Sequence, residues 1–399
     1  MECKTALFSN SRILYMTSVD ISRIYGPGVN EREFIPYLFK LTGERAFFIL
    51  PKPEFELPED IPKGNCLFVF PTRRRNIISW IHHQLSVIAT FSKLSLKHDF
   101  DYLVMRAGIF PVAYWYIGKR TDIPYVLKHI GNGKFDVFKN KNILIQLLSP
   151  INRFLFKSLL EGASMADVVS ESQRKSILEI YGEKDKVFFL DNGVNTERFF
   201  PKNVNYLKEK LDIKSAYPII GYVGNLAWER GGGQIIESLP HLLKDYPNTL
   251  AIILGEDDKA STLKRKAKEV DVLRHCLFLG LVDYEIVVDY INLMDICVSI
   301  RYKEAQHASE LKVRQYLACG KPVIVSPGAN NFVEHQKLGH VVDSDKLGEF
   351  IEACQKILSL GTKEYLELSQ RSRAYAVKYL SYEAKVIAKI RLWREYTKT

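Results

Sequence analysis

Short apolar runs recur along this chain, and helical patterns separate most of them. Residues 12–19 begin the series, with Ile13, Leu14, Tyr15 and Met16 in succession. Continuous apolar and β-branched runs of this length read as strands buried on both faces. The turn residues Gly26-Pro27-Gly28 follow, and Phe34, Tyr37, Leu38 and Leu41 then recur at i, i+3, i+4 and i+7. That spacing predicts a helix over 31–41. Strand, glycine turn and helix open a Rossmann-like unit. The theme repeats at 46–50, 67–70, 102–105, 125–127, 168–170 and 187–190, and a second series runs through 218–224, 250–254, 276–279, 296–300 and 322–325. Such alternation demands a parallel sheet covered on both faces. A chain of 399 residues is long for one domain and comfortable for two. The expectation is an α/β protein of two Rossmann-like domains, 1–203 and 204–378. The polar, Lys-rich residues 202–216 lie in the linker region. A terminal helix over 379–399, with Ala384, Ile387, Ile390 and Trp393 on one face, joins the first domain.

Composition narrows the class. No apolar run reaches the roughly 20 residues that span a bilayer. The first ten residues lack the basic start and long apolar core of a signal peptide. Cys3, Cys66, Cys276, Cys297, Cys319 and Cys354 are scattered, with no CxxC pair. That pattern argues against a metal site and a disulfide framework, and for a reducing cytoplasm. The net charge of +10 is uneven: residues 61–160 hold 15 Lys and Arg against 4 Asp and no Glu, a net +11, so the rest sums to −1. Arg73, Arg74 and Arg75 precede Trp80 in this block, with Tyr114, Trp115 and Tyr116 further on. Arginines beside aromatic and branched residues suit an anionic membrane surface. The bland alternative is a solvated basic face over ordinary core aromatics. No nucleic-acid motif accompanies the charge.

Residues 309–324, Ser-Glu-Leu-Lys-Val-Arg-Gln-Tyr-Leu-Ala-Cys-Gly-Lys-Pro-Val-Ile, form the most informative stretch. It reads as an amphipathic helix capped by Ser309 and closed by Gly320, then a buried strand. Pro322 cannot continue the helix. The free N–H groups at such a helix start suit phosphate. The run resembles the donor-binding helix of glycosyltransferase family 4, the retaining nucleotide-sugar enzymes of GT-B fold. That resemblance implies two Rossmann-like domains facing across a cleft, with the last helix crossing back to the N-terminal domain.

The same resemblance implies a site. Residues 221–233 are similar to the family's Val-Gly-Arg-Leu-x-x-x-Lys-Gly segment, which grips the donor diphosphate. Arg230 falls on the Lys position, Asn225 falls on the Arg position without its charge, and Lys312 is the candidate to supply the missing cation. Ser309 and Leu311 accompany Lys312 at the helix start. Two glutamates of the family pattern fall on His307 and Gln315, with Glu304 a possible substitute. Val282, after Gly280, falls where backbone groups meet the base. In the first half, His129 would lie beside the reacting sugar, and Gly28 would let its loop approach the diphosphate. A nucleoside diphosphate sugar is the implied donor and a glycan or lipid-linked molecule the acceptor, with no cofactor and no obligatory metal.

The expected function is a retaining glycosyltransferase, cytoplasmic or peripheral on the membrane's cytoplasmic face. The departures at His307 and Gln315 keep a non-catalytic GT-B subunit of a polysaccharide pathway in view, and another GT-B enzyme, such as an epimerase or phosphorylase, is a further alternative. A dinucleotide oxidoreductase fits poorly: Gly26-Pro-Gly28 and Gly131-Asn-Gly133 both lack the third glycine of the fingerprint.

Overall fold

The computed structural model describes residues 11–23, 26–71, 77–128, 148–182, 185–228, 230–255, 260–301, 310–328 and 330–398. The chain divides into two units, Met1–Asn192 with Tyr382–Thr399, and Gly193–Ser381.

The first unit is a seven-stranded parallel sheet of order β3-β2-β1-β4-β5-β6-β7. Its strands are β1 Ile13–Thr17, β2 Ala46–Pro51, β3 Cys66–Val69, β4 Tyr102–Arg106, β5 Tyr125–Leu127, β6 Met165–Val168 and β7 Val187–Phe189. Every residue of β1 is buried, as its unbroken apolar run requires. Helices α1 (Gly26–Thr42), α2 (Ile77–Ser95), α3 (Val112–Arg120), α4 (Ser149–Gly162) and α5 (Glu171–Tyr181) cover the faces. One face packs Leu14, Leu103, Phe91, Ile117 and Leu159. The other packs Ile13, Phe34, Leu38, Val386, Ile390 and Trp393, so the terminal helix, Tyr382–Thr397, completes this unit's core.

Three expectations shift here. Gly26-Pro27-Gly28 is the first turn of α1, not a separate loop, because Pro27 suits a helix start. Strand β6 begins three residues earlier than expected, and Asp167 in it is buried against Lys389, whose amine is 3.3 Å away. The buried stripe of the terminal helix is Val386, Lys389, Ile390 and Trp393 rather than one led by Ala384.

The second unit repeats the plan with six parallel strands in the order β10-β9-β8-β11-β12-β13. These are β8 Ile219–Val223, β9 Leu250–Leu254, β10 Cys276–Gly280, β11 Ile296–Ser299, β12 Val323–Val325 and β13 Gly339–Val341. Helices α6 (Asn205–Lys210), α7 (Gly232–Asp245), α8 (Ser261–Glu269), α9 (Val287–Leu293), α10 (Leu311–Ala318), α11 (Phe332–His335), α12 (Leu347–Leu358) and α13 (Thr362–Tyr375) surround it. The stretch expected as linker is packed. Lys202 pairs with Asp289 of α9 at 2.8 Å, and the Tyr206 hydroxyl donates to the same carboxylate.

In both sheets the strand order reverses beside the first strand, between β1 and β4 and between β8 and β11. Ligands of open α/β sheets bind outside the carboxyl ends of strands at such switch points.

Candidate functional site

In the second unit the switch point has a glycine floor. Gly224, directly after strand β8, stands at φ +134°, a backbone that side chains rarely adopt. A Cβ there would sit 2.9 Å from the Lys312 Nζ. Gly255, at the end of β9, approaches so closely that its Cβ would fall 2.0 Å from the Gly224 carbonyl oxygen. Position 224 therefore holds glycine for its backbone conformation, and position 255 for close backbone packing.

A polar chain stands on that floor. The Lys312 amine donates to the Tyr222 hydroxyl at 2.9 Å and lies 4.1 Å from its ring centroid. The hydroxyl in turn donates to the Asn225 carbonyl at 2.8 Å. The Asn225 side chain is spent locally, accepting from the Ala227 N–H at 2.9 Å. Arg230 ends this turn, half-buried, with no guanidinium partner among the described residues. Gly231 then packs on the Tyr222 ring and the β11 end, and α7 opens after it. Lys312 thus meets Tyr222 from one element, Gly231 packs on its ring from another with Arg230 the preceding residue, and a helix N-terminus starts at Gly232. Cations and unpaired N–H groups in this arrangement are complementary to phosphate oxygens.

Helix α10 presents Lys312 for identifiable reasons. Its Tyr316 hydroxyl accepts the Val223 N–H at 2.9 Å, docking the helix on β8. It closes in a Schellman motif, Lys321 N–H to Tyr316 O and Gly320 N–H to Leu317 O, with Gly320 at φ +69° as expected. The start differs from expectation. The residue before the first turn is Glu310, whose side chain makes no cap because it pairs with Arg301. Leu311 is half-buried in the first turn. Gln315 lies on the buried side, its amide donating to the Tyr284 hydroxyl at 3.4 Å. Tyr284 follows Val282, which is half-buried in the loop after β10. Glu304, His307 and Ser309 lie outside the described residues, as does His129.

The first unit has its own polar cluster, and it went unread in the sequence. Lys128, at the carboxyl end of β5, is fully buried. Its amine donates to Glu31 at 2.7 Å and to the Tyr15 hydroxyl at 2.8 Å, 3.6 Å from the Phe34 centroid. Arg106, at the end of β4, also pairs with Glu31, and the Tyr15 hydroxyl donates to its other oxygen. Burial by itself would raise the Glu31 pKa, but Lys128 and Arg106 outweigh it and hold the carboxyl near 2. Burial pulls the Lys128 ammonium down from its usual range. The cluster locks the first turns of α1, including buried Gly28, to the ends of β4 and β5. No local pattern reveals it, since Glu31 and Lys128 are 97 positions apart.

Among the described residues no group of His, Cys, Asp or Glu is placed to hold a metal ion, and no helix is long and apolar enough to cross a membrane. Burial pushes the Cys66, Cys276 and Cys319 thiols up to about 12, which keeps them protonated.

Known structures define the class first. A glycosyltransferase from Rickettsia africae superposes with a TM-score of 0.75 over 98% of this chain and 100% of that one, at 18% identity. The fold is of the GT-B type, with two Rossmann-like parallel-sheet domains. Residues 204–377, which contain the glycine floor, Arg230 and Lys312, match the family described as glycosyl transferases group 1. The GDP-mannose-dependent alpha-(1-6)-phosphatidylinositol monomannoside mannosyltransferase of Mycobacterium tuberculosis is 24% identical over 220 residues, 52% of this chain. The chain spans about half the length of that relative, 56%. The UDP-Gal:alpha-D-GlcNAc-diphosphoundecaprenol alpha-1,3-galactosyltransferase of Escherichia coli is 22% identical over 330 residues, 78% of this chain and 82% of the relative.

Proposed function

We propose that this protein is a retaining glycosyltransferase that moves a sugar from a nucleoside diphosphate sugar to a lipid-linked acceptor. The observation that carries the reading is the Lys312 amine held by Tyr222 over the glycine floor of the family-matched unit, with Arg230 in the turn whose next residue, Gly231, packs on the Tyr222 ring. The names of the two relatives support it: one gives GDP-mannose and a phosphatidylinositol mannoside, the other UDP-Gal and a diphosphoundecaprenol-linked sugar.

In this reaction the bond between the anomeric carbon and the diphosphate oxygen breaks as the acceptor oxygen attacks from the same face. The acceptor's proton passes to the departing diphosphate. Arg230, Lys312 and the α7 and α10 starts would stabilise the charge that develops on that leaving group. Tyr222 would hold the Lys312 amine at the phosphate, and Gln315, joined to Tyr284, would brace the helix against the loop that carries Val282. His129 is proposed beside the reacting sugar and Gly28 in donor binding, with residues 1–203 and 379–399 as the acceptor domain and 204–378 as the donor domain.

The test is a panel of UDP- and GDP-sugars followed for nucleoside diphosphate release, with calorimetric titration of UDP and GDP. Turnover of one donor, and binding of its nucleoside diphosphate, is expected. Binding without turnover on any lipid-linked acceptor would favour a non-catalytic subunit. No binding at all would overturn the reading.

A further inference from the structure

The first unit carries an apolar face that its described residues leave uncovered. Helix α2 has an ordinary inner side, with Val87, Phe91 and Leu94 buried. Its outer side is unusual. Ile78, Ile81 and Leu85, at i, i+3 and i+7, are 62%, 43% and 59% exposed, on a stripe that is normally polar. The neighbouring edge strand β3 and the residue after it expose Phe68 and Phe70. With Leu85 they line an open groove of about 710 Å³, flanked by Lys52 and Lys93. At the other end of α2 the Trp80 ring meets Phe110 edge-on at 6.3 Å. The Phe110 N–H donates to Asn152 at 2.7 Å, which brings the start of α4 alongside. Ile109, Ile151 and Phe154 are exposed there. A connected apolar surface of this kind marks an interaction site.

Charge selects the partner. Helices α2, α3 and α4 carry Lys93, Lys119, Arg120, Arg153 and Lys157 against one acid, Glu161. The acidic loop 52–62 packs Leu57 and Ile61 into the opposite face of the sheet. A second copy would set these five cations against five more, which is repulsive. Tyr114 and Trp115 take no part: Tyr114 is core, and the Trp115 indole donates to Ser158. Arg73, Arg74 and Arg75, just ahead of Ile77 in sequence, lie outside the described residues.

We propose that the α2 and α4 face docks on a lipid bilayer with anionic headgroups, the isoleucines, Leu85 and Phe154 entering the interface and the lysines and arginines meeting phosphates. This rests on the reading of a lipid-linked acceptor. Ile109 and Phe110 follow the carboxyl end of β4, so the face reaches the edge of the sheet where a membrane-held acceptor headgroup would arrive.

Co-sedimentation of the full chain with phosphatidylcholine vesicles, with and without phosphatidylglycerol, tests it. Binding should require the anionic lipid and weaken with salt. Ile78→Ser with Ile81→Ser and Leu85→Ser should cut it by more than roughly tenfold. Arg153→Glu with Lys157→Glu should cut it and flatten the salt dependence. Both variants should keep the wild-type circular dichroism spectrum and urea-unfolding midpoint, which certifies folding. Wild type that fails to sediment, or sediments equally with neutral vesicles, would overturn the proposal. So would a wild-type dimer that the triple-serine variant dissociates, since a second copy would then own the face. Vesicle binding without any nucleotide binding would leave this surface standing and remove the transferase reading instead.

Discussion

Glu31 shows how much one residue can hold. It is the only carboxylate among the described groups that meet Lys128 and Arg106 in the buried cluster of the first unit. Glu31→Gln would leave Lys128 buried without its counter-charge, at a cost of about 3–5 kcal/mol. Urea denaturation should show it. The pH dependence has a definite sign. The Glu31 pKa falls from 4.5 to about 2 on folding, so its contribution is present above 4.5 and fades as pH drops toward 2. The stability gap between wild type and Glu31→Gln should therefore narrow on acidification across that window; a gap independent of pH would mean that Glu31 is not ionised in the folded protein. Arg230 should behave in the opposite manner. It is half-buried and ends a surface turn, so Arg230→Ala should spare folding while costing roughly 2–4 kcal/mol of transition-state stabilisation. An unchanged rate at saturating donor would remove it from the site.

At the scale of elements, helix α10 and the turn after β8 act together. Gly224→Ala would place a methyl group 2.9 Å from the Lys312 amine and force a glycine backbone on alanine. About 1–3 kcal/mol of strain is expected, and calorimetry should find nucleoside diphosphate affinity reduced as in Lys312→Ala. The family pattern sets a ribose-gripping glutamate at position 315, and on that proposal Gln315→Glu should tighten that affinity by roughly 1 kcal/mol, the margin of a charged hydrogen bond over a neutral one. Weaker binding would show that Gln315 serves Tyr284 alone. The elements themselves were legible because their signals are local. Unbroken apolar runs marked β1, β8 and β11, and Gly320-Lys-Pro marked the end of α10. Lys312 and Arg230 stand out as candidates because they sit in short motifs. Glu31, Lys128 and Tyr15 could not, because each looks ordinary in its own segment and only the sheet order joins them. Tyr222 was hidden in the same way, inside a strand whose other residues are plainly core. Lys389 was missed because a lysine on a helix reads as solvated, and only Asp167 on β6 explains its burial.

At the scale of the molecule, the chain leaves its first unit near Asn192 and returns to it at Tyr382. The terminal helix is thus the last piece of a core begun by β1, and Trp393 is fully buried against Phe34, with ring centroids 6.1 Å apart. The second unit has a separate core around Tyr222, Ile236, Val298 and Phe350. Damage to one core and ligation at the other should therefore register in different places. Trp393→Ala removes a large side chain from a closed site and should cost about 3–5 kcal/mol. Hydrogen exchange should quicken in β1, α1 and β6, with the strands from β8 to β13 unchanged. Saturating nucleoside diphosphate, at 100 times its Kd, should do the reverse, stabilising the donor unit by about 2.7 kcal/mol and slowing exchange around Gly224 and α10. Slower exchange around Glu31 and Lys128 instead would move the phosphate site to the first unit and overturn the assignment of Arg230 and Lys312.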